Sequence, residues 1–249
     1  MQTHAHHQPP ALPTLHGQHV LILGASSGIG LASAQLAAAL GAQLTLAARN
    51  GQRLQQACAA LEGARLRQAD LHDPRSFSTL LHELPPIDHL LITAGTASLP
   101  TLAESSESAM QLMLQERLTG PLLLIREALP LLTPQASITL LSGQLASRPA
   151  ASGALLAAAV AAVETLAPAL SLELAPRRVN VVSPGYTDTA LLDRMLGEQK
   201  QSVLDHMTTQ LPTRRIGAAD NLAQAIIFLM TNPYVSGEVL HVDGGGRWV

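Results

Sequence analysis

The sequence predicts one doubly wound α/β domain, a seven-stranded parallel sheet with helices on both faces. Three observations carry this expectation. Short apolar runs alternate with helical patterns along the whole chain, and those runs are too apolar to belong to half-exposed strands. The first of them also breaks into a glycine-rich turn followed by a helical run of Ala and Leu. The 249 residues, 47% of them hydrophobic, suffice for one large core, and neither a linker-like stretch nor a repeat divides them.

In order, the expected strands are His19–Leu23, Gln43–Ala48, Ala64–Ala69, Ile87–Thr93, Ser137–Leu141, Arg178–Ser183 and Val239–Val242. Helical stretches fall near 28–40, 51–61, 74–83, 105–131, 152–175 and 218–230, and Pro168 is expected to bend the fifth of these. The segment 187–216 breaks the rhythm. Its polar residues, Gly197, Pro212 and two short helical patterns follow a strand end, where inserts cover the ligand crevice of an open sheet. It reads as a substrate lid or as an ordinary surface helix pair.

The turn after the first strand reads Gly24-Ala-Ser26-Ser27-Gly28-Ile29-Gly30. Gly24 permits a tight turn, while Gly28 and Gly30 let backbone approach a pyrophosphate. The unpaired N–H groups at the following helix start, with its positive dipole end, then meet the negative charge. This is a dinucleotide-binding, Rossmann-type arrangement, although the spacing G-x-x-x-G-x-G matches the general G-x-G-x-x-G motif only in part.

The end of the second strand meets the adenosine ribose in such a fold; an acid there favours NAD and an arginine favours NADP. Here the strand ends Ala47-Ala48-Arg49-Asn50, so Arg49 points to NADP(H), the alternative being a solvated helix-start residue. Asp70, with Leu71, ends the third strand, placed either to contact adenine or to cap the helix ahead of Pro74. Thr93-Ala94-Gly95 ends the fourth, where small residues let backbone pass beside a cofactor or simply form a turn.

Composition excludes several classes. A net charge of −3 with 13% charged residues gives no basic stripe for nucleic acid. The lone Cys58 cannot form an internal disulfide and reads as a small buried residue in a reducing, cytoplasmic compartment. The N-terminus is polar and shows no signal peptide. The most membrane-like stretch, 154–170, is short and carries Glu164 and Pro168, so a buried or interface helix explains it better than a bilayer span. Residues 1–16 hold His4, His6, His7 and His16 among prolines; without Cys or acidic ligands they read as a disordered tail and not a metal site, leaving 17–249 as the domain.

From about Gly17 to the C-terminus the ordered motifs resemble the short-chain dehydrogenase/reductase family. They are the glycine motif at 24–30, Asp70-Leu71, Thr93-Ala94-Gly95, Leu118-Thr-Gly120-Pro121 and Ile138-Thr-Leu-Leu-Ser142. The Pro184-Gly185-Tyr186-Thr187-Asp-Thr189 segment and Ser236-Gly237-Glu-Val-Leu-His-Val-Asp243-Gly244-Gly245 complete the set. The resemblance implies hydride transfer between a nicotinamide cofactor and an alcohol or carbonyl. It implies also a tyrosine acid/base, a lysine that tunes it, a substrate-orienting serine and an asparagine in a water-linked proton path. Pro184, Gly185, Thr187 and Thr189 would flank the nicotinamide.

The pattern breaks at the chemistry. The tyrosine and lysine positions, four apart on the helix after Ser142, fall on Leu156 and Val160, or on Leu155 and Ala159 if the loop is shifted by one. The chain has one lysine, Lys200, and two tyrosines, Tyr186 and Tyr234, none of which can form the pair. Arg117 stands at the asparagine position and Thr93 replaces the second Asn of the Asn-Asn-Ala-Gly element; Ser142 alone survives.

Three residues are candidates for the missing chemistry. Tyr186 is a substitute proton donor or a packing residue. Arg117 either stabilises an oxyanion or pairs with Glu116 or Glu164. Ser142 holds the substrate oxygen or a water. Gln144 and Arg148 line the pocket or sit on a loop, and Asp188 is a base or a local cap. Two functions follow: an NADP(H)-dependent oxidoreductase acting on an unidentified small molecule through a nonstandard relay, or a catalytically silent NADP(H)-binding sensor or scaffold. A structural partner subunit is a third. The resemblance implies a homodimer or homotetramer.

Overall fold

The computed structural model describes residues 14–96 and 98–249. Strand β1 (His19–Leu23) shows how the sequence makes the layers: Val20 through Leu23 are all buried, because a strand central in a covered sheet faces hydrocarbon on both sides. Leu21 and Leu23 point into one core and Val20 and Ile22 into the other, as the two-residue period of a strand requires.

The elements follow as α1 (Gly28–Ala39), β2 (Gln43–Ala48), α2 (Gly51–Ala57), β3 (Arg65–Gln68), α3 (Arg75–Leu81) and β4 (Ile87–Ile92). Next come α4 (Glu107–Leu114), α5 (Gly120–Ala128), β5 (Leu132–Leu141), α6 (Ala154–Glu173) and β6 (Arg178–Pro184). The chain closes with β7 (Thr187–Asp188), α7 (Ala190–Leu196), α8 (Lys200–Gln210), β8 (Gly217–Ala218), α9 (Ala219–Thr231) and β9 (Val239–Val242). The main sheet is parallel with order β3-β2-β1-β4-β5-β6-β9, the expected doubly wound architecture. The strand order reverses between β1 and β4, where a crevice opens beyond the strand ends. One core lies under α3, α5 and α6, and the other under α1, α2 and α9.

Three expectations are corrected, and Pro168 leaves its helix unbroken. The stretch 105–131 is not one helix: a π-turn at Gln115–Thr119 separates α4 from α5. Pro121 has no N–H for the preceding turn, and the Gly120 N–H instead bonds to Gln115 O, a wide loop that absorbs the defect. Strand β5 starts at Leu132, before the expected Ser137, through a register shift against β4 around Pro134, which likewise has no N–H to give. Packed structure also begins before Gly17: Leu15 is fully buried and its N–H bonds to Leu40 O, while His4, His6 and His7 lie outside the described residues.

Helix α6 alone among the described residues is long and apolar enough to cross a membrane, yet Leu156, Val160, Val163, Ala167 and Leu170 are buried within the fold. The segment 187–216 forms α7 and α8, and β7 pairs with β8 so that its two ends are clasped together. Lys200 ties this segment internally, 2.7 Å from Asp188 and 2.5 Å from Asp193. Cys58 is buried, its Sγ 3.8 Å from Ala25 O, and burial pushes its thiol pKa up.

Candidate functional site

One cavity of about 760 Å³ runs across the carboxyl ends of the strands, from the glycine turn to α7 and α8. That size is within the range of small-molecule and cofactor sites. Every residue expected at the cofactor borders it: Gly24, Ser26, Ser27, Gly28, Ile29, Gly30, Arg49, Asn50, Asp70, Leu71, Ala94, Gly95, Pro184, Gly185, Thr187 and Thr189. So do Ser142, Tyr186 and Arg117.

The glycines divide the work differently from the sequence expectation. Gly24 has φ +106°, and a Cβ there would lie 2.6 Å from the Ala94 backbone N. A Cβ on Gly30 would collide with Gly24 O and Thr93 Oγ1, so Gly30 serves the close packing of α1 on the strand ends more than approach to a ligand. The Thr93 hydroxyl reinforces the turn, donating to Leu23 O and Gly24 O at 3.3 Å each. Gly28, at φ +54°, faces Thr189 across the groove. This backbone cradle at the start of α1, where Ser27 makes no side-chain cap, fits a pyrophosphate.

At the adenosine end, Arg49 is exposed on the rim, and Arg53, which the sequence reading missed, borders the same groove. Its signal was its place four residues beyond Arg49. Asn50 caps α2, accepting the Arg53 N–H at 2.9 Å. Asp70 does not cap α3; its carboxylate accepts the His72 N–H at 3.0 Å in a local turn while bordering the cavity.

At the other end, Leu156 and Val160 line the cavity and Leu155 and Ala159 do not. Gln144 and Arg148 also line it, and the Arg148 guanidinium donates to Gly246 O at 2.9 Å. Asp188 stands outside, paired with Lys200.

The π-turn carries Glu116 and Arg117 into the cavity wall. The expected pairing of Arg117 with Glu116 or Glu164 is not made. Its Nη2 donates instead to Thr96 O, and its buried Nε has no partner among the described residues. Gly95 makes room for it: a Cβ there would lie 2.7 Å from the guanidinium carbon. Burial pulls the Arg117 pKa down and the neighbouring Glu116 opposes this. Glu116 accepts the Thr96 hydroxyl at 2.6 Å, and Glu164 accepts the hydroxyls of Ser142 at 2.7 Å and Ser183 at 2.9 Å. The role of Glu164 was invisible in sequence, because it depends on β5 and β6 ending side by side.

The fold and the site together define a dinucleotide-binding protein of the doubly wound class. A family model described as enoyl-(acyl carrier protein) reductase matches residues 24–246. The short-chain dehydrogenase/reductase ATR9 of Stachybotrys chlorohalonatus is 31% identical over 250 residues, covering 94% of this chain and 98% of the relative. A short-chain dehydrogenase/reductase from Brucella melitensis superposes with TM-score 0.86 at 31% identity, covering 93% of this chain and 97% of the other. A small-chain dehydrogenase solved in complex with NADPH gives TM-score 0.80 at 26% identity, with 93% and 99% coverage. The chain belongs to the short-chain dehydrogenase/reductase family of oxidoreductases, which bind nicotinamide cofactors.

Proposed function

We propose that this protein is an NADP(H)-dependent oxidoreductase that interconverts a carbonyl and an alcohol on a small, largely apolar molecule, using a proton relay other than a tyrosine–lysine pair. The observation that carries this is the single cavity joining the glycine cradle and Arg49 to Ser142, Arg117 and Tyr186. The relative solved with NADPH supports the choice of cofactor.

When bound, the cofactor supplies or accepts the hydride. The chain's own part is to orient and to manage charge. Gly24 to Gly30 would hold the pyrophosphate, Arg49 and Arg53 a 2′-phosphate, and Pro184 to Thr189 the nicotinamide end. Arg117, with an unpartnered N–H in the wall, offers a positive charge to a developing alkoxide. Tyr186 and Ser142 supply hydroxyls within the same cavity. Leu99, Leu145, Leu191, Met195 and Met207 give the substrate end its apolar lining, and α7 and α8 act as its lid.

A silent NADP(H)-binding sensor is the second reading, favoured by Leu156 and Val160 in the cavity wall. Tyr186→Phe separates the roles of the hydroxyls: as substitute donor its loss lowers NADPH-dependent ketone reduction by about 10²-fold or more without weakening NADPH binding. Unchanged turnover removes Tyr186 from the relay. For assembly we propose a homodimer or homotetramer, supported by the exposed small and apolar residues Ala154, Ala158, Ala169 and Leu172 along the outer side of α6. The lone, buried Cys58 is consistent with a cytoplasmic setting.

A further inference from the structure

Ser142 directly follows β5 and Ser183 is the last residue but one of the neighbouring β6; the register pairs Leu141 with Val182 one residue earlier. Both hydroxyls donate to one oxygen, Oε1 of Glu164. Glu164 stands one turn beyond Val160 and two beyond Leu156 on α6, so it continues the same helix face behind the cavity wall. All of Ser142, Val160 and Ser183 are buried, and of the three Ser142 and Val160 border the cavity. Glu164 takes part in no ion pair among the described residues.

A partly buried carboxylate held only by neutral hydroxyls is an expensive way to join two strands to a helix; apolar packing would serve at least as well. The arrangement has a chemical consequence. A serine hydroxyl has one proton, and Ser142 directs it at Glu164, also 3.1 Å from Val160 O. Its lone pairs are then the groups left to accept a hydrogen bond from the cavity side. Alone, a serine hydroxyl is too weak an acid to protonate an alkoxide and hold no charge afterwards. Backed by a carboxyl group it becomes a conduit.

Resting on the oxidoreductase reading above, we propose that Glu164 is the positioning residue that stores the proton of this site, exchanging it with the substrate oxygen through the Ser142 hydroxyl. In the oxidative direction the substrate O–H bond breaks and its proton goes to Ser142 Oγ. The Ser142 O–H bond breaks at the same time and that proton goes to Glu164 Oε1. A bound nicotinamide dinucleotide would take the carbinol hydride as the carbonyl forms, and Glu164 later releases its proton to water. Reduction reverses each transfer: the hydride arrives at the carbonyl carbon, Ser142 protonates the oxygen, and Glu164 restores the serine. Ser183 keeps Glu164 Oε1 aimed at Ser142 throughout.

The test compares wild-type protein with Glu164→Gln, whose amide oxygen still accepts the serine hydroxyls but cannot take up a proton. NADPH affinity and melting temperature are the controls, and reduction of cyclohexanone and acetophenone across pH is the readout. The relay predicts NADPH affinity within about twofold of wild type, turnover lowered by about 10²- to 10⁴-fold, and a flattened pH profile. Turnover of E164Q within about threefold of wild type at every pH overturns the relay and leaves the oxidoreductase reading standing. Absent turnover by the wild-type protein on any carbonyl overturns the oxidoreductase reading itself. A second measurement needs no turnover: the infrared difference between the NADPH complexes of wild-type protein and Glu164→Gln, which isolates the Glu164 carboxyl from the other acids. The relay requires a protonated-carboxyl band in that difference; a carboxylate signal alone overturns it.

Discussion

Val160 follows Leu156 by one turn of α6, and both side chains border the cavity that holds Ser142. Two apolar side chains thus occupy the helix face where the resemblance to the family leads one to expect an acid/base and a cofactor-ribose contact. Neither can donate a proton or a hydrogen bond. The polar groups around this wall include Ser142 backed by Glu164, Arg117 on the π-turn, Tyr186 after β6, and Gln144 and Arg148.

Arg49 carries the proposed preference for NADP(H). With Arg49 and Arg53 on the rim of the adenosine groove and no acid at the end of β2, NADPH is expected to bind about tenfold or more tightly than NADH in a fluorescence titration at low salt. Arg49→Ala should erase most of that difference, and added salt should narrow it, since both guanidinium groups are exposed. Equal affinities for the two cofactors would remove the phosphate-binding role of Arg49.

His89 makes the fold sensitive to acid. It sits on β4 with Nδ1 2.7 Å from Ser137 Oγ and Nε2 2.6 Å from Gln18 Oε1. Burial holds its pKa down at about 4, with Asp88 opposing and Arg178 adding to the effect. The folded protein therefore favours the neutral ring more than the unfolded chain does. The stability this confers is complete above about pH 6.5 and is lost as pH falls through about 4, a loss on the order of 3 kcal/mol. His19, also buried and lowered, acts in the same direction. Urea midpoints from pH 7 to 4 should fall more steeply for wild type than for His89→Gln; parallel curves would contradict this.

Much of the frame was readable from residue order. The ends of β1, β2 and β9 fall where the apolar runs end, because turn and cap residues flank each run. The cofactor groove was readable too, since its residues follow strand ends that the pattern already marks. What escaped depends on contacts between distant segments. The π-turn needs Pro121 to be weighed against a helix that otherwise reads as continuous. The burial of Leu15 depends on Leu40 waiting at the end of α1. Arg117 looked like an ion-pair partner for Glu116 or Glu164 because a buried arginine needs a partner; the fold gives Glu164 to two serines and Arg117 to the Thr96 carbonyl. Burial alone predicts that a charge finds partners, not which ones.

The central claim is that hydride chemistry survives here without the tyrosine–lysine pair. Its most direct measurement is deuterium transfer from NADPH deuterated at the nicotinamide C4, incubated with the wild-type protein and a panel of apolar ketones and read by mass spectrometry of the alcohols. The account predicts alcohol carrying deuterium on its carbinol carbon, formed at a rate that Glu164→Gln cuts by at least about 10²-fold. Bound NADPH with no deuterated alcohol from any ketone would contradict it and leave a protein that holds the cofactor without using it.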